Sequence, residues 1–278
     1  MLIIKDINNL KDYINQYKSE NQSIGLVPTM GSLHDGHGAL IKSSQEHNQK
    51  TIVSIFINPK QFNDKEDLSS YPISKGNDYD YAINNNVDVI FEPHETEIYP
   101  ENFKSTKNIF HKDILCDLFR PHHFDGVITI VRELINIVSP NKIYFGLKDY
   151  QQFKIIEKLI EKEFLQIKIY GIETVRDESG LALSSRNKLI NQPNKEIYKN
   201  FISSMYKFIS SLNPDIDIKD ANQLLEKFLK ENFYQINKFE YHEFRLAKDL
   251  SLKGQIKHSR LFLAFYLQTI RVIDNVKI

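Results

Sequence analysis

The first 175 residues alternate short apolar runs with longer amphipathic segments. Apolar residues recur at helical spacing from Val127 to Val138 and from Tyr150 to Ile160, and Pro140 ends the first of these helices. The short runs are bounded by polar residues or proline, which is typical of strands covered on both faces of a parallel sheet. This alternation predicts a parallel sheet with right-handed crossovers and a ligand crevice at the carboxyl ends of its strands. The predicted strands are Ile24–Val27, Ile52–Ile57, Val87–Phe91, Lys142–Phe145 and Ile167–Ile172.

The pattern changes after about residue 175. Two helical segments, Ile197–Leu212 and Leu224–Leu229, are followed by strand-like runs at Phe239–Leu246, Leu261–Leu267 and Gln268–Ile273. The expected fold class is therefore α/β. A Rossmann-like, parallel-sheet nucleotidyltransferase domain over residues 1–175 precedes a smaller α+β C-terminal domain over residues 176–278, which we expect to close over the active site.

Composition narrows the function classes. The 36 basic and 36 acidic residues cancel and no long basic run occurs, so there is no electrostatic footprint for nucleic acid. The single cysteine, Cys116, excludes an internal disulfide and fits a reducing compartment. The N-terminus lacks the features of a signal peptide, and no apolar stretch approaches the ~20 residues that span a bilayer. We expect a soluble, cytoplasmic protein whose partners are neither nucleic acid nor membrane.

The segment from Pro28 to His37 carries the strongest chemical signal. It places His34 and His37 three residues apart where a predicted strand turns into a helix. The first amides of a helix are unpaired and its dipole is positive there, and Gly31 and Gly36 allow a phosphate to approach the backbone closely. A dinucleotide fingerprint and a Walker-type lysine loop are both absent from the sequence. Taken alone, the two histidines also fit ordinary turn and helix-start positions, so the rest of the chain must decide.

Further polar residues suit the activation of a carboxylic acid by ATP. Gln61 and Gln152 are neutral amides, which can hold a hydroxy acid without quenching its carboxylate nucleophile, and Asp78 or Asp149 could face a metal ion or a ribose. No serine lies in a nucleophile elbow and Cys116 lies in no motif, so nothing indicates a covalent enzyme intermediate. Residues that suit phosphate contacts are His34, His37, Lys148, Ser184, Ser185 and Arg186.

These residues fall in a series of blocks that together resemble the pantothenate synthetase family. That family comprises the pantoate–beta-alanine ligases of the nucleotidyltransferase superfamily with the His-x-Gly-His signature. The resemblance covers roughly the first two thirds of the chain in strict order and continues more weakly to Arg271–Asn275. The blocks are Pro28–His37, Val53–Phe62, Glu66–Pro72, Arg120–Val127, Tyr144–Gln152 and Gly180–Asn187.

The resemblance implies a reaction. Family members condense (R)-pantoate with beta-alanine at the expense of ATP, through a pantoyl adenylate, and release pantothenate, AMP and pyrophosphate. The resemblance therefore implies ATP as a substrate, Mg²⁺ as a cofactor, pantoate and beta-alanine as small-molecule partners, and a homodimer.

It also implies roles for individual residues. His37, His34 and Lys148 are the expected catalytic residues, Gln61 and Gln152 the expected pantoate-binding residues, and Asp78 the expected magnesium ligand. The expected ATP-binding residues are Met30, Gly31, Ser32, Leu33, His34, Asp35, Gly36, His37, Gly146, Leu147, Lys148, Asp149, Val175, Leu183, Ser184, Ser185 and Arg186.

Three positions depart from the family pattern. Leu147 replaces a glutamate before the lysine, Asn77 replaces an acidic neighbour of Asp78, and His122 replaces a glycine, which could restrict its loop. Two other functions are considered. An adenylyltransferase of the same superfamily that releases a stable nucleotide product should lack the paired Gln61 and Gln152 blocks. A catalytically silent nucleotide-binding protein is disfavoured because the histidines, Lys148 and Arg186 are all retained.

Overall fold

The structure is a computed structural model, and it describes residues 1–233, 236 and 238–278. The chain forms two compact units. The first unit consists of Met1–Lys112, Arg120–Leu147 and Gln152–Val175. The second unit consists of Asp113–Phe119, Lys148–Gln151 and Arg176–Ile278.

A six-stranded parallel sheet forms the centre of the first unit, with the strand order β1-β4-β3-β2-β5-β6. The predicted parallel sheet is thereby confirmed, and its inner strands are almost fully buried, as their apolar runs require. The strands are β1 Leu2–Ile4, β2 Ile24–Thr29, β3 Lys50–Ile55, β4 Val89–Phe91, β5 Lys142–Gly146 and β6 Lys168–Ile172.

Ten α-helices occur among the described residues. The predicted helix that ends before Pro140 is confirmed, and nearly all of its residues are buried. The helices are α1 Ile7–Ser19, α2 Asp35–His47, α3 Lys65–Ser69, α4 Lys75–Asn84, α5 Glu95–Ile98, α6 Leu115–Phe119, α7 His123–Val138, α8 Tyr150–Glu163, α9 Gln192–Ser211 and α10 Ile218–Asn232. Within the same residues, no helix is both long enough and apolar enough to span a lipid bilayer.

The edge strand β1 and the helix α1 were missed by the sequence prediction. Strand β1 is only three residues long, and it is recognisable through its parallel pairing with β4, which sequence spacing does not show. Helix α1 is mostly polar and buries only Leu10, Ile14 and Tyr17. Its clearest local signal is Asp6, whose side chain caps the helix by accepting a hydrogen bond from the backbone N–H of Asn9 at 2.9 Å.

The strand order reverses between β2 and β5. From β2 the chain runs through β3 to β4 on one side, whereas β5 and β6 lie on the other side. Ligands of open α/β sheets bind at such a switch point, outside the carboxyl ends of the strands. The segment after β2, which carries His34 and His37, begins at this point.

The second unit contains a three-stranded antiparallel sheet in the order β7-β8-β9. The strands are β7 Phe239–Leu246, β8 Ser259–Leu267 and β9 Ile270–Lys277. Helices α9 and α10 contribute Tyr198, Phe201 and Leu225 to the core that covers this sheet. The α+β character is confirmed, but the predicted last strand, Gln268–Ile273, was wrong at both ends. Gln268 has a φ of +55° in the turn that joins β8 to β9, and no glycine or asparagine marks that turn.

Candidate active site

The segment after β2 is bent by two residues with positive φ. Gly31 has a φ of +81° and Ser32 one of +52°. At Gly31 a side chain would meet the carboxylate of Asp78, because an added Cβ would lie 2.9 Å from Asp78 Oδ2. Glycine is therefore required here by the backbone conformation and by the close neighbour.

His34 and His37 form a reciprocal cap at the start of α2. His34 is the N-cap residue, and its Nδ1 accepts a hydrogen bond from the backbone N–H of Gly36 at 3.1 Å. The Nδ1 atom of His37 accepts one from the backbone N–H of His34 at 3.3 Å. The two rings lie 4.2 Å apart between centroids. The three-residue spacing seen in the sequence therefore has a local structural cause, since each imidazole satisfies a backbone donor of the first turn.

This capping fixes the tautomers of both imidazoles. Because Nδ1 accepts a hydrogen bond in each ring, the proton of the neutral form is on Nε2. His34 and His37 are thus both Nε2–H donors at the positive end of a helix. Such a pair can bind phosphate oxygens and stabilise negative charge that develops on them.

Asp78 holds the same segment from α4. Its side chain is buried, with a relative exposure of 3%. Oδ2 accepts a hydrogen bond from the backbone N–H of Ser32 at 2.9 Å, and Oδ1 accepts one from Leu33 at 2.6 Å. Both carboxylate oxygens therefore fix backbone donors just before the two histidines. This contact was not predicted from the sequence, because Asp78 lies more than forty residues further along the chain.

Helix α4 also contacts the first turn of α2. Tyr81 donates a hydrogen bond to Asp35 at 3.0 Å, and burial together with this bond raises the pKa of Tyr81 to about 12. A Cβ at Gly38 would lie 2.4 Å from the Tyr81 hydroxyl oxygen, so Gly38 is needed for the close approach of the two helices. The start of α2 is thus held by α4 at two points.

Gln61 lies in a short 3-10 helix, Pro59–Gln61, directly after β3, and its amide has a defined orientation. Its Oε1 accepts a hydrogen bond from Asn58 Nδ2 at 3.1 Å, while its Nε2 donates to the sulfur of Met30 at 2.8 Å. Met30 belongs to the predicted ATP-binding segment. The structure therefore brings a predicted pantoate-binding residue into contact with that segment.

Asn58 is fully buried, and its own amide is oriented by four partners. Its Oδ1 accepts hydrogen bonds from the Tyr99 hydroxyl at 2.7 Å and from the backbone N–H of Lys60 at 3.2 Å. Its Nδ2 donates to Gln61 and to the Gly126 carbonyl, the latter at 3.0 Å. Burial raises the pKa of Tyr99 above its ordinary value, so this hydroxyl remains a donor at neutral pH. Sequence reasoning missed Tyr99, which lies in no distinctive motif.

The block Arg120–Val127 supports the same 3-10 helix. His123 Nδ1 lies 2.7 Å from the Gln61 carbonyl oxygen, and Arg120 forms an ion pair with Asp67 at 3.6 Å. At Gly126 a Cβ would lie 2.3 Å from the Lys60 carbonyl oxygen, so only glycine allows α7 to approach this closely. His123 and Gly126 thus set the backbone position of Gln61.

Two other predicted ATP-binding segments belong to the second unit. Lys148 and Asp149 lie in a 3-10 helix, Leu147–Asp149, and Lys148 Nζ is 3.6 Å from Asp149 Oδ1. Ser184 caps the 3-10 helix Ser185–Leu189, its Oγ accepting a hydrogen bond from the backbone N–H of Arg186 at 3.3 Å. Ser185 is buried in that helix. Roles for these residues, and for Leu183, remain predictions.

The neighbouring glutamines at the start of α8 differ in their surroundings. In the second unit, the Gln151 amide accepts a hydrogen bond from the backbone N–H of Cys116 and donates one to the Ile114 carbonyl, both at 2.9 Å. Gln151 is therefore used to hold the segment around α6. Gln152 is half-buried in the first unit, and its predicted pantoate contact stays a prediction, as do the roles of Gly146 and Val175.

The residues around Asp78 were tested against the needs of a magnesium ion. Among the described residues, no group of three or more histidine, cysteine, aspartate or glutamate side chains is arranged to hold a metal. Mg²⁺ is commonly held by one or two carboxylates together with substrate phosphates and water. Asp78 fits that arrangement as a single carboxylate ligand, whereas a site made by protein side chains alone does not fit.

The three departures from the family pattern have distinct surroundings. His122 has a φ of +66°, the conformation that glycine adopts at little cost, and its Nδ1 lies 3.1 Å from Asp125 Oδ2. Leu147 lies against Gly171 of β6, where an added Cβ would be 2.5 Å from its Cδ2. Asn77 is exposed on α4 beside the buried Asp78.

Comparison with known proteins gives matches along the whole chain. The family model described as pantoate-beta-alanine ligase matches residues 2–277. The pantothenate synthetase of Aquifex aeolicus is 38% identical over 283 residues, covering 100% of this chain and 99% of that protein. The pantothenate synthetase of Caldicellulosiruptor saccharolyticus is 35% identical over 286 residues, covering 99% of each.

Solved structures give the same result. The pantoate–beta-alanine ligase of Thermus thermophilus superposes with a TM-score of 0.90 at 28% identity, covering 100% of this chain and 99% of that one. A pantoate–beta-alanine ligase of Francisella tularensis, solved in complex with beta-gamma ATP and beta-alanine, gives a TM-score of 0.80 at 34% identity, covering 100% of this chain and 97% of that one.

Proposed function

Because this chain belongs to the pantoate–beta-alanine ligase family, we propose that the site built on Met30, Gln61 and the paired histidines condenses pantoate with beta-alanine at the expense of ATP. The observation that carries the proposal is the 2.8 Å contact between Gln61 Nε2 and Met30 Sδ. It joins an oriented neutral amide to the segment that presents two imidazole donors at a helix start. An acid-binding group and a phosphate-binding group are thus adjacent, as adenylation of a carboxylic acid requires.

In the first step, a carboxylate oxygen of pantoate attacks the α-phosphorus of ATP. The bond from that phosphorus to the bridging oxygen breaks, and pyrophosphate leaves with the electron pair. Negative charge develops on the phosphate oxygens during this step, and the Nε2–H groups of His34 and His37 stabilise it at the positive end of α2. The product of the step is pantoyl adenylate.

Gln61 is proposed to hold pantoate through its amide nitrogen. Its Oε1 already accepts a hydrogen bond from Asn58, so the donor end of the amide is the end offered to a ligand. A donor suits the hydroxyl and carboxylate oxygens of a hydroxy acid. Gln152 is proposed as the second amide anchor for pantoate.

In the second step, the amine of beta-alanine attacks the acyl carbon of the adenylate. The bond from that carbon to the phosphate oxygen breaks, AMP leaves with the electron pair, and the nitrogen releases a proton. The amide product is pantothenate. The Francisella tularensis relative was solved with a nucleotide and beta-alanine, which supports binding of both by this chain.

The remaining ATP contacts are proposed from the family pattern. Lys148, Ser184 and Arg186 are placed on the phosphates, since cationic and hydroxyl groups suit phosphate oxygens. Gly146, Leu147 and Asp149 complete the first of these segments. The other proposed contacts are those of Met30, Gly31, Ser32, Leu33, Asp35, Gly36, Val175, Leu183 and Ser185.

Magnesium is proposed to enter with ATP, and Asp78 is the residue that would ligate it. Mg²⁺ bound to ATP neutralises charge on the phosphates. Asp78→Asn should raise the magnesium concentration that half-activates the enzyme, whereas Asp80→Asn, an exposed change on the same helix, should not. An unchanged magnesium requirement in folded Asp78→Asn protein would remove Asp78 as a ligand.

A homodimer in the cytoplasm is also proposed, from the family resemblance and from the single cysteine. Light scattering on the purified protein tests the dimer directly, and a monomeric mass would contradict it.

The proposed function is tested by incubating the protein with ATP, magnesium, pantoate and beta-alanine. We expect equimolar pantothenate and AMP. A stable nucleotide product formed without beta-alanine would instead indicate an adenylyltransferase, an alternative that the full-length family match does not favour.

A further inference from the structure

Two adjacent polar residues on β9, Asp274 and Asn275, are buried in the second unit, with relative exposures of 3% and 4%. They end the block Arg271–Asn275, which showed only weak family resemblance and has no role in the steps above. Buried polar side chains require hydrogen-bond partners, so the identity of those partners indicates what the pair does.

Asn275 is bonded to the predicted ATP-binding segment that contains Lys148. Its Nδ2 donates a hydrogen bond to the Lys148 carbonyl oxygen at 2.9 Å. Its Oδ1 accepts one from Arg260 at 3.3 Å, and the Arg260 guanidinium lies 4.4 Å from the centre of the Tyr150 ring. The Asn275 amide therefore fixes the backbone of the 3-10 helix from which the Lys148 side chain extends.

Asp274 is bonded to the other predicted ATP-binding segment through Arg176. The Arg176 guanidinium forms two hydrogen bonds with the Asp274 carboxylate, at 2.7 and 2.8 Å, and the Tyr198 hydroxyl donates to the same carboxylate. Burial alone would lower the pKa of Arg176, but its bonds to Asp274 and the charge of that carboxylate raise the pKa above its ordinary value. The pair is thus charged and two-pronged, the geometry with the strongest directional preference.

Arg176 passes this constraint on to the loop that follows it. It donates to the Gly180 carbonyl at 2.9 Å, and it also donates to the Asn275 carbonyl at 3.2 Å. Asp177 closes the same loop by accepting hydrogen bonds from the backbone of Ser179 and Leu181, and Gly180 adopts a φ of +82°. The loop leads directly into the segment that begins at Leu183.

We propose that Asp274 and Asn275 are positioning residues that hold the Lys148 segment and the Leu183–Arg186 segment in register for ATP. The proposal deepens the proposed function and rests on it, because those segments are assigned to ATP there. Two neighbouring side chains of one strand fix the backbones of both segments, so a displacement of either segment breaks a buried hydrogen bond. A misplacement of about 1 Å in such a site can reduce a rate by ~10²-fold.

Asn275→Ala tests the proposal, with Asn222→Ala as the matched control. Asn222 lies in the same unit and also bonds backbone groups, those of Phe244, at 3.2 and 2.7 Å. Neither of those bonds reaches a predicted ATP-binding segment. Both variants are compared with the wild type by urea unfolding, by calorimetric titration with ATP alone, and by calorimetric titration with pantoate alone.

We expect Asn275→Ala to bind ATP ~10- to 100-fold more weakly and pantoate within twofold of wild type. Asn222→Ala should lose stability without losing ATP affinity. Equal losses of ATP affinity in the two variants would show a general structural effect and overturn the proposal. Wild-type ATP affinity in Asn275→Ala would also overturn it.

Asn275→Asp is a second, less disruptive variant. It keeps an oxygen acceptor for Arg260 but replaces the donor to the Lys148 carbonyl with an oxygen, so it should lose ATP affinity as Asn275→Ala does. Restored affinity in this variant would contradict the part assigned to the Lys148 contact. A wild type that binds ATP but makes no pantothenate would refute the proposed function while leaving the positioning role measurable; a wild type that binds no ATP would refute both.

Discussion

Replacing Asp78 with asparagine should both destabilise the first unit and disable adenylation. The buried carboxylate accepts hydrogen bonds from Ser32 and Leu33, at 2.9 and 2.6 Å. Asparagine retains one acceptor oxygen, but its NH₂ group would face one of those backbone N–H groups. One donor would then lose its bond in a buried position, and the other would lose its charged acceptor.

The magnitude follows from these two contacts. A hydrogen bond to a charged group contributes about 1.5–3 kcal/mol, and a buried donor left without a partner costs about 1–3 kcal/mol. Because these contributions overlap, we expect Asp78→Asn to lower the free energy of unfolding by about 2–4 kcal/mol. A typical domain has about 5–15 kcal/mol, so the variant should still fold.

The functional effect should exceed the loss of stability. The two bonds fix the backbone directly before His34 and His37, so their loss should displace the imidazole donors and reduce adenylation by ~10²-fold or more. Urea unfolding measures the first effect and single-turnover adenylation of pantoate measures the second. Asp80→Asn, which changes an exposed aspartate on the same helix, serves as the control and should alter neither. An Asp78→Asn protein with wild-type stability and wild-type adenylation would refute the reasoning.

The remaining predictions concern single side chains elsewhere in the first unit. Tyr99→Phe removes the 2.7 Å hydrogen bond that orients Asn58, so the KM for pantoate should rise ~3- to 10-fold with the KM for ATP unchanged; parallel changes in both constants would contradict this. His122→Gly should raise the free energy of unfolding by about 0.5–1 kcal/mol in urea titrations, because residue 122 has a φ of +66°, and a loss of stability would contradict the assigned strain. Burial raises the pKa of Tyr144 from 10.0 to about 12, so the unfolded chain releases this proton first as the pH rises. Stability should therefore be lost between pH 10 and 12, by up to about 1.4 kcal/mol per pH unit from this group, and Tyr144→Phe should flatten the urea-measured profile; an unchanged slope would argue against the shift.

The parallel sheet could be predicted from the sequence because its strands are continuous apolar runs. Strand β2 began at Ile24 as predicted and extends to Thr29, two residues further than expected, because Pro28 is accommodated in the strand opposite Ser54. Helix α2 begins at Asp35, three residues earlier than the predicted Gly38, because the His34 side chain caps it. The cap could not be recognised from composition, since histidine is an uncommon N-cap residue.

The candidate site was only partly accessible from sequence. The spacing of His34 and His37 at a strand-to-helix turn pointed to an anion site without reference to the rest of the fold. The contacts of Asp78 with the segment before them depend on pairing across more than forty residues, and those of Tyr99 with Asn58 depend on a similar separation. Sequence periodicity carries no information about such pairings. The positions of Asp274 and Asn275 beside two loops likewise became visible only in the folded second unit.

The fate of the carboxylate oxygens of pantoate tests the adenylate mechanism most directly. Pantoate labelled with heavy oxygen in its carboxylate is incubated with the protein, ATP, magnesium and beta-alanine, and the AMP is examined by mass spectrometry. If the carboxylate attacks the α-phosphorus, one labelled oxygen should be transferred to each AMP, and labelled pyrophosphate should exchange into ATP when pantoate is present without beta-alanine. Unlabelled AMP, or release of ADP and phosphate, would contradict the account even if pantothenate were formed.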